Sequence, residues 1–266
     1  MTLDLDRYFE RIGWTEPVPP TFATVSGLLR AHMMSIPFEN LDVLMGKSPS
    51  LELDALQAKL IDARRGGYCY EHATLFGAVL ERLGFAIARH SARVTVDSAK
   101  HASPRTHMLL SVELPEGGFV LDPGFGSLAP MVPVPVDGSE AISRPDTRKQ
   151  MTYWIDRDAG DWILKVRTPD GEVNAWVTPM TTDYPIDFVM ANHFTSTHPR
   201  SLFTRNLMLR AFVDDDTVRV MNRDVTDAAG ARRLADRAEL QTLLSDRFGI
   251  DLDVSGLRVA AIPEWP

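Results

Sequence analysis

The chain has 266 residues, a formal net charge of −8 at pH 7, 44% apolar and 24% charged residues, and one cysteine. These are the proportions of a globular protein with a real core, in one large domain or two to three small units. The acidic balance argues against a broad nucleic-acid or anionic-membrane surface, and a lone cysteine excludes an internal disulfide or a multi-cysteine zinc site.

The first residues, Met1-Thr2-Leu3-Asp4-Leu5-Asp6, are acidic and lack the apolar core of a secretory signal. No apolar run reaches the ~20 residues a membrane helix needs. The expected compartment is the cytoplasm, and no membrane or nucleic-acid partner is expected.

Residues 1–84 are predicted helical. Leu5, Tyr8, Phe9 and Ile12 form one amphipathic face, ended near Gly13. Phe22, Val25, Leu28, Leu29 and His32 form a second, with Thr21 as N-cap and Pro37 as its stop. Leu53, Leu56, Leu60 and Ile61 form a third, stopped by Gly66-Gly67. A fourth starts at Cys69, runs through Ala73, Phe76, Leu80 and Leu83, and meets Gly84 as its C-terminal glycine.

After Gly84 the period changes to two. Strands are predicted over Phe85 to Val96, His107 to Leu114 and Phe119 to Leu121, with Pro115-Glu116-Gly117-Gly118 as a turn. Proline punctuates 130–135, and a polar loop covers Ser143 to Gln150. Met151 to Ile155, Trp162 to Arg167 and Val173 to Val177 complete a set of short strands that suits a small barrel or a sandwich. Leu207 to Val213 and Thr217 to Met221 are predicted to form a hairpin around Asp214-Asp215-Asp216. Leu234 to Phe248 is predicted as a helix, with Gly249 ending it.

The stretch with most chemistry is Arg65-Gly66-Gly67-Tyr68-Cys69-Tyr70-Glu71-His72. Two glycines, each able to take a positive φ, turn the chain into a helix whose first turn holds the thiol. Free N–H groups and the positive end of the helix dipole there favour a thiolate, the reactive form of a cysteine. An inert buried thiol is the competing reading. A nucleophile needs a base and a group that orients the base. Of the seven histidines, His72 lies over the same helical turn as Cys69 and is read as structural. His107 opens a strand, and Asp122 follows its partner strand. A two-residue turn at Pro115-Glu116, or a four-residue turn one step wider, pairs position 109 with 122, which makes His107 and Asp122 diagonal neighbours on one face, the more polar one, shared with Ser111. A one-residue slip separates them. No histidine pair has a helical i, i+4 metal-ligand spacing, so no metal is expected.

These residues resemble the arylamine N-acetyltransferase family. Ile36-Pro37-Phe38-Glu39-Asn40, Arg65-Gly66-Gly67-Tyr68-Cys69-Tyr70-Glu71, His107 with its hydrophobic strand, and Asp122-Pro123-Gly124-Phe125-Gly126 are similar to four family patterns in order. Pro123 stands where a small aliphatic residue is more usual. After about residue 130, only Thr197-His198-Pro199-Arg200-Ser201-Leu202-Phe203 is similar. The resemblance implies an α+β fold: a helical bundle over 1–84, an antiparallel β-barrel over 85–185 and an α/β lid over 186–266. It implies a cysteine-protease-like catalytic triad of Cys69, His107 and Asp122, acetyl-CoA as donor, and arylamines, arylhydrazines or N-hydroxyarylamines as acceptors. Phe38 and Phe125 would line the acceptor pocket; Lys100, Thr106, Ser201 and Phe203 would meet CoA. The same triad also suits a thiol hydrolase, a transglutaminase-like acyl transferase or an amide synthase, although the papain-type signature around the cysteine is absent. A non-catalytic ligand-binding relative is the third reading.

Overall fold

The computed structural model describes residues 3–143, 150–213 and 216–265. Helices come first. Helix α1 (Leu5–Ile12) begins where the Asp4 carboxylate accepts the Arg7 N–H at 3.1 Å and ends at Gly13, φ 67°. Helix α2 (Phe22–Ser35) starts from Thr21, whose hydroxyl accepts the Thr24 N–H at 3.3 Å, and stops before Pro37. Two short helices follow, α3 (Leu41–Leu44) and α4 (Leu53–Leu56), the latter widening into a π turn over Gln57–Asp62. Helix α5 (Cys69–Arg82) is the predicted cysteine helix, with Gly84 just beyond it at φ 87°. Val25, Leu28, Leu29 and Met33 of α2 share one buried core with Leu75, Phe76, Val79 and Leu80 of α5. Between α2 and α3 lies a strand that the sequence pattern does not reveal, β1 (Phe38–Glu39).

The middle of the chain forms an antiparallel, nearly closed eight-stranded barrel rather than a sandwich. Its strands are β2 (Ile87–Val94), β3 (Arg105–Leu114), β4 (Gly117–Leu121), β5 (Val134–Pro135), β6 (Ala141–Ser143), β7 (Met151–Asp158), β8 (Asp161–Thr168) and β9 (Gly171–Thr178). Their spatial order is β5-β4-β3-β2-β9-β8-β7-β6. The β3–β4 turn is the two-residue form, because Leu114 pairs with Gly117 and Leu110 with Leu121. The two faces of β3 therefore divide as the alternation requires. Met108, Leu110 and Val112 pack on the helices, while Leu109 joins Val120, Tyr153 and Trp176 inside the barrel. The face predicted as the more polar one holds Leu109 and Val120 inside the barrel alongside His107 and Ser111. Of the expected polar loop, residues 144–149 lie outside the described residues.

The last part mixes types. Helix α6 (Pro185–Thr197) and helix α7 (Leu202–Arg205) lead into β10 (Met208–Val213), β11 (Asp216–Met221), β12 (Asp224–Asp227) and β13 (Gly230–Arg233). The predicted β10–β11 hairpin is present, though Asp214 and Asp215 lie outside the described residues. Helix α8 (Arg237–Leu243) begins later than the predicted Leu234, because Asp236 caps it by accepting the Glu239 N–H at 2.9 Å. It continues as a π turn to Phe248 and closes at Gly249, φ 63°. The sheet order is β1-β10-β11-β12-β13, so Phe38–Glu39 from the helical part forms one edge of the C-terminal sheet. Leu41 and Leu44 sit in the core beneath that sheet with Leu209, Val218, Val220, Leu240 and Leu244.

Candidate active site

The tip of α5 is held by backbone and charge together. Gly67 donates its N–H to the Pro37 carbonyl at 3.2 Å, and Glu39 donates its own to the Gly67 carbonyl at 2.9 Å. A side chain at Gly66 would place its Cβ 2.1 Å from that Pro37 oxygen. Gly66 is needed for this close approach, and a Cβ at Gly67 would stand 2.8 Å from the Glu71 side chain; neither glycine takes the positive φ expected of it. Below, the Glu71 carboxylate accepts the Tyr68 N–H at 3.1 Å, capping α5, and also the Lys59 ammonium at 2.8 Å. Lys59 reaches Asp42 at 2.7 Å, and Arg65 binds the fully buried Glu39 through Nε and Nη2 at 2.9 and 2.6 Å. Burial pushes Glu71 up to about 7 against the pull of Lys59. Burial alone would lower Lys59, but Glu39, Glu71 and Asp42 outweigh it and raise the ammonium above its ordinary value.

The three predicted chemical residues converge there. His107, on β3, donates Nε2–H to both oxygens of Asp122, at 3.0 and 2.9 Å. Nδ1 is then the ring nitrogen that Asp122 does not engage, and Cys69 is near enough to favour the charged form of the ring. The sulfur also lies 3.8 Å from the Thr106 carbonyl. All three side chains are buried. Burial alone would lower the imidazole pKa. The Asp122 carboxylate, by charge and hydrogen bond, and Cys69 outweigh that and raise His107 to about 10. Gly124 presses on the other side of the thiol residue: a Cβ there would stand 2.6 Å from the Cys69 Cα. The turn after β4 and the tip of α5 are therefore in backbone contact, and only glycine permits it.

One member of the site was missed in the sequence. Trp176, fully buried on β9, donates its indole N–H to Asp122 Oδ2 at 2.9 Å. Nothing local marks it; it lies on a strand read only as alternating.

Aromatic side chains pack around His107 and the tip of α5. The Phe125 ring meets His107 edge-on, with centroids 4.8 Å apart. Phe38 stacks on His72 at 6.4 Å and touches Phe203 at 6.2 Å, and Phe203 meets Tyr68 edge-on at 5.4 Å. Phe203, expected to contact CoA, thus shares a wall with Phe38. Of the other residues expected at CoA, Thr106 presents its carbonyl to the thiol. Ser201 caps α7, its hydroxyl donating to Thr195 O at 2.6 Å. Lys100 is exposed and paired with Asp161.

His72 serves structure, as predicted. Its Nε2 donates to the Pro37 carbonyl at 3.2 Å. Its Nδ1 must then accept, from His32 Nε2 at 2.9 Å, and His32 Nδ1 accepts from the Tyr8 hydroxyl at 2.9 Å. This one-directional chain needs both rings neutral. Burial first, then repulsion from Arg210, pushes His72 down to about 3.

The N-acetyltransferase family pattern matches residues 21–257. An arylamine N-acetyltransferase of Mycolicibacterium smegmatis is 38% identical over 98% of this chain and 97% of its own length. That of Mycobacterium tuberculosis strain H37Rv is 36% identical over 98% and 94%. The chain belongs to the arylamine N-acetyltransferase family.

The solved structure of Mycobacterium marinum arylamine N-acetyltransferase in complex with CoA superposes on this N-acetyltransferase with a TM-score of 0.88. The two are 32% identical, and the match covers 98% of this chain and 99% of that one. The protein is accordingly an acyltransferase. Among the described residues of this N-acetyltransferase, no His, Cys, Asp and Glu cluster could hold a metal ion, and no helix is long and apolar enough to cross a membrane.

Proposed function

We propose that this N-acetyltransferase moves an acetyl group from acetyl-CoA to Cys69 and then to an arylamine, arylhydrazine or N-hydroxyarylamine, by a ping-pong mechanism in which Cys69, His107 and Asp122 act as nucleophile, acid–base and orienting carboxylate. The observation that carries it is the buried His107–Asp122 pair beside Cys69, whose sulfur lies 3.8 Å from the carbonyl of Thr106, the residue before His107. One small site then serves two bulky reactants in turn. The organisation proposed with it is a helical bundle over 1–84, a barrel over 85–185 and a lid over 186–266. Its setting is the cytoplasm, with no nucleic-acid partner.

The carboxylate and imidazole do more than supply thiolate. An unperturbed thiol of pKa ~8.5 is only about 3% ionised at pH 7. Lowering a thiol pKa to ~5 gains about thirtyfold in thiolate but loses about fortyfold in nucleophilicity at a Brønsted slope of ~0.45. The benefit lies in the proton. The Cys69 sulfur attacks the thioester carbonyl, the C–S bond to CoA breaks, and the proton on His107 goes to the departing CoA sulfur. The neutral imidazole next takes the proton from the attacking amine as the Cys69 thioester breaks. Asp122 holds the tautomer and stabilises the cationic ring. Aniline-type amines are neutral at pH 7 and attack without prior deprotonation. Phe38 and Phe125 select them by burying the ring, at ~25 cal/mol per Å² of apolar area. Lys100, Thr106, Ser201 and Phe203 are the residues proposed to contact CoA.

Intact mass and peptide mapping after incubation with acetyl-CoA alone test this. One acetyl group on Cys69, discharged by added aniline or hydrazine, is expected, and His107→Gln abolishes the labelling while the fold survives. Unimpaired labelling of that variant rules out His107 as the base, and peptide-amide cleavage without CoA points instead to a thiol hydrolase.

A further inference from the structure

Arg210 is the buried cation that this mechanism leaves unused. It lies on β10, with Phe38 of β1 opposite on one side and Arg219 of β11 opposite on the other. Its side chain is 3% exposed. Burial pushes the guanidinium down to about 10, so it remains a cation at neutral pH. Among the described residues it forms no ion pair, and its Nε has no hydrogen-bond partner. Its Nη1 donates to the Gly126 carbonyl, and its central carbon stands 4.7 Å over the Phe212 ring. The carboxylate that acts on it through space is Asp122.

A buried unpaired charge is expensive, and a neutral side chain of similar size would fill the same space at lower cost. Arg210 joins two parts of the site. Through the β ladder it is fixed to Phe38. Through its guanidinium it holds the carbonyl of Gly126, the residue after Phe125. Gly126 sits at φ 66°, a glycine conformation, and a Cβ built there would lie 3.9 Å from the Phe38 ring. Its carbonyl otherwise accepts only a long bond, 3.3 Å, from the Ala129 N–H.

We infer that Arg210 is a positioning residue for acceptor binding: it ties the Phe125–Gly126 turn to the strand bearing Phe38 and so sets the gap between the two aromatic walls. This rests on the reading that Phe38 and Phe125 line the acceptor site. Because Phe125 also touches His107, the same tie reaches the base, but its first effect is on the width of the slot. Lysine at this position can still donate to one carbonyl; methionine fills the volume and donates nothing.

Steady-state kinetics with aniline as acceptor, together with single-turnover acetylation of Cys69, test the inference on the full-length protein. Arg210→Met is expected to raise the acceptor KM about tenfold while slowing Cys69 acetylation by less than about threefold, and Arg210→Lys to recover most of the KM. Phe38→Ala is measured alongside. If Phe38→Ala leaves the acceptor KM unchanged, the wall assignment is wrong and the inference goes with it. If Phe38→Ala raises KM but Arg210→Met does not, the inference alone is overturned. It is also overturned if Arg210→Met slows both half-reactions equally, or if Arg210→Lys recovers nothing. Should Arg210→Met fail to fold, Arg210→Gln is read against the same outcomes.

Discussion

Trp176 and His107 donate to the same oxygen of one carboxylate. The indole N–H and the imidazole Nε2–H both lie 2.9 Å from Asp122 Oδ2. The carboxylate is wholly buried, so its orientation is set by these two donors rather than by water. The carboxylate that accepts from His107 is thereby itself held from a strand remote in sequence.

Removing the indole donor while keeping a ring should therefore weaken the chemistry more than the fold. Trp176→Phe is expected to lower the rate of Cys69 acetylation by about 5- to 30-fold, the equivalent of one lost buried hydrogen bond at about 1–2 kcal/mol. Single-turnover mass spectrometry measures it, and an unchanged rate would remove Trp176 from the site.

Gly124 admits no side chain. The Cβ of Gly124→Ala would stand 2.6 Å from the Cys69 Cα and 3.0 Å from its carbonyl oxygen, so one backbone must move. A displacement of about 1 Å at the proposed nucleophile costs on the order of a hundredfold. The variant should stay folded by circular dichroism yet lose acetylation of Cys69; wild-type labelling would show that the contact is dispensable.

The raised pKa of His107 sets a pH window. The imidazolium persists below about 10, against ~6.5 for a free histidine. Its contribution to stability is therefore complete below ~6.5 and is lost as pH rises through about 10. The His107 ring protons followed by NMR should show no titration between about pH 6 and about 9. A midpoint near the free-histidine value of ~6.5 would contradict the pairing with Asp122.

The charged cluster under α5 makes its own prediction. Arg65→Ala leaves Glu39, buried and previously bound by two guanidinium nitrogens, with Lys59 at 3.9 Å as its one cation and the Leu41 N–H at 2.7 Å on its other oxygen. Stranding a buried carboxylate costs about 3–5 kcal/mol. Chemical denaturation should show that loss, and the Tyr68–Cys69 turn should become more susceptible to proteolysis. A loss below about 1 kcal/mol would mean the network is solvated.

Much of this was legible from periodicity and punctuation. Glycines at 13, 84 and 249 marked helix ends because each takes a left-handed backbone that other residues resist. The register that joins His107 to Asp122 followed from the length of one turn. What stayed hidden was whatever depends on distant pairing. β1 is two residues long and has no pattern of its own, and β12 and β13 are short and carry arginine and aspartate, so their pairing shows only in the folded sheet. Helix α6 buries Phe188, Asn192, Thr195 and Ser196 but exposes Ile186, Val189 and Met190, so its apolar residues do not trace the buried face. Trp176 and Arg210 were invisible for the same reason: each serves a residue far away in the chain.

The edge strand Phe38–Glu39 also bears on how the molecule is made. Its partner, Met208–Val213, leaves the ribosome long after it. Until then the first aromatic wall has no neighbour on that side, and the cysteine helix can form beside an unfinished slot. The C-terminal sheet is consequently no detachable cap: a chain truncated after the barrel would keep sulfur, imidazole and carboxylate yet should recognise amines poorly.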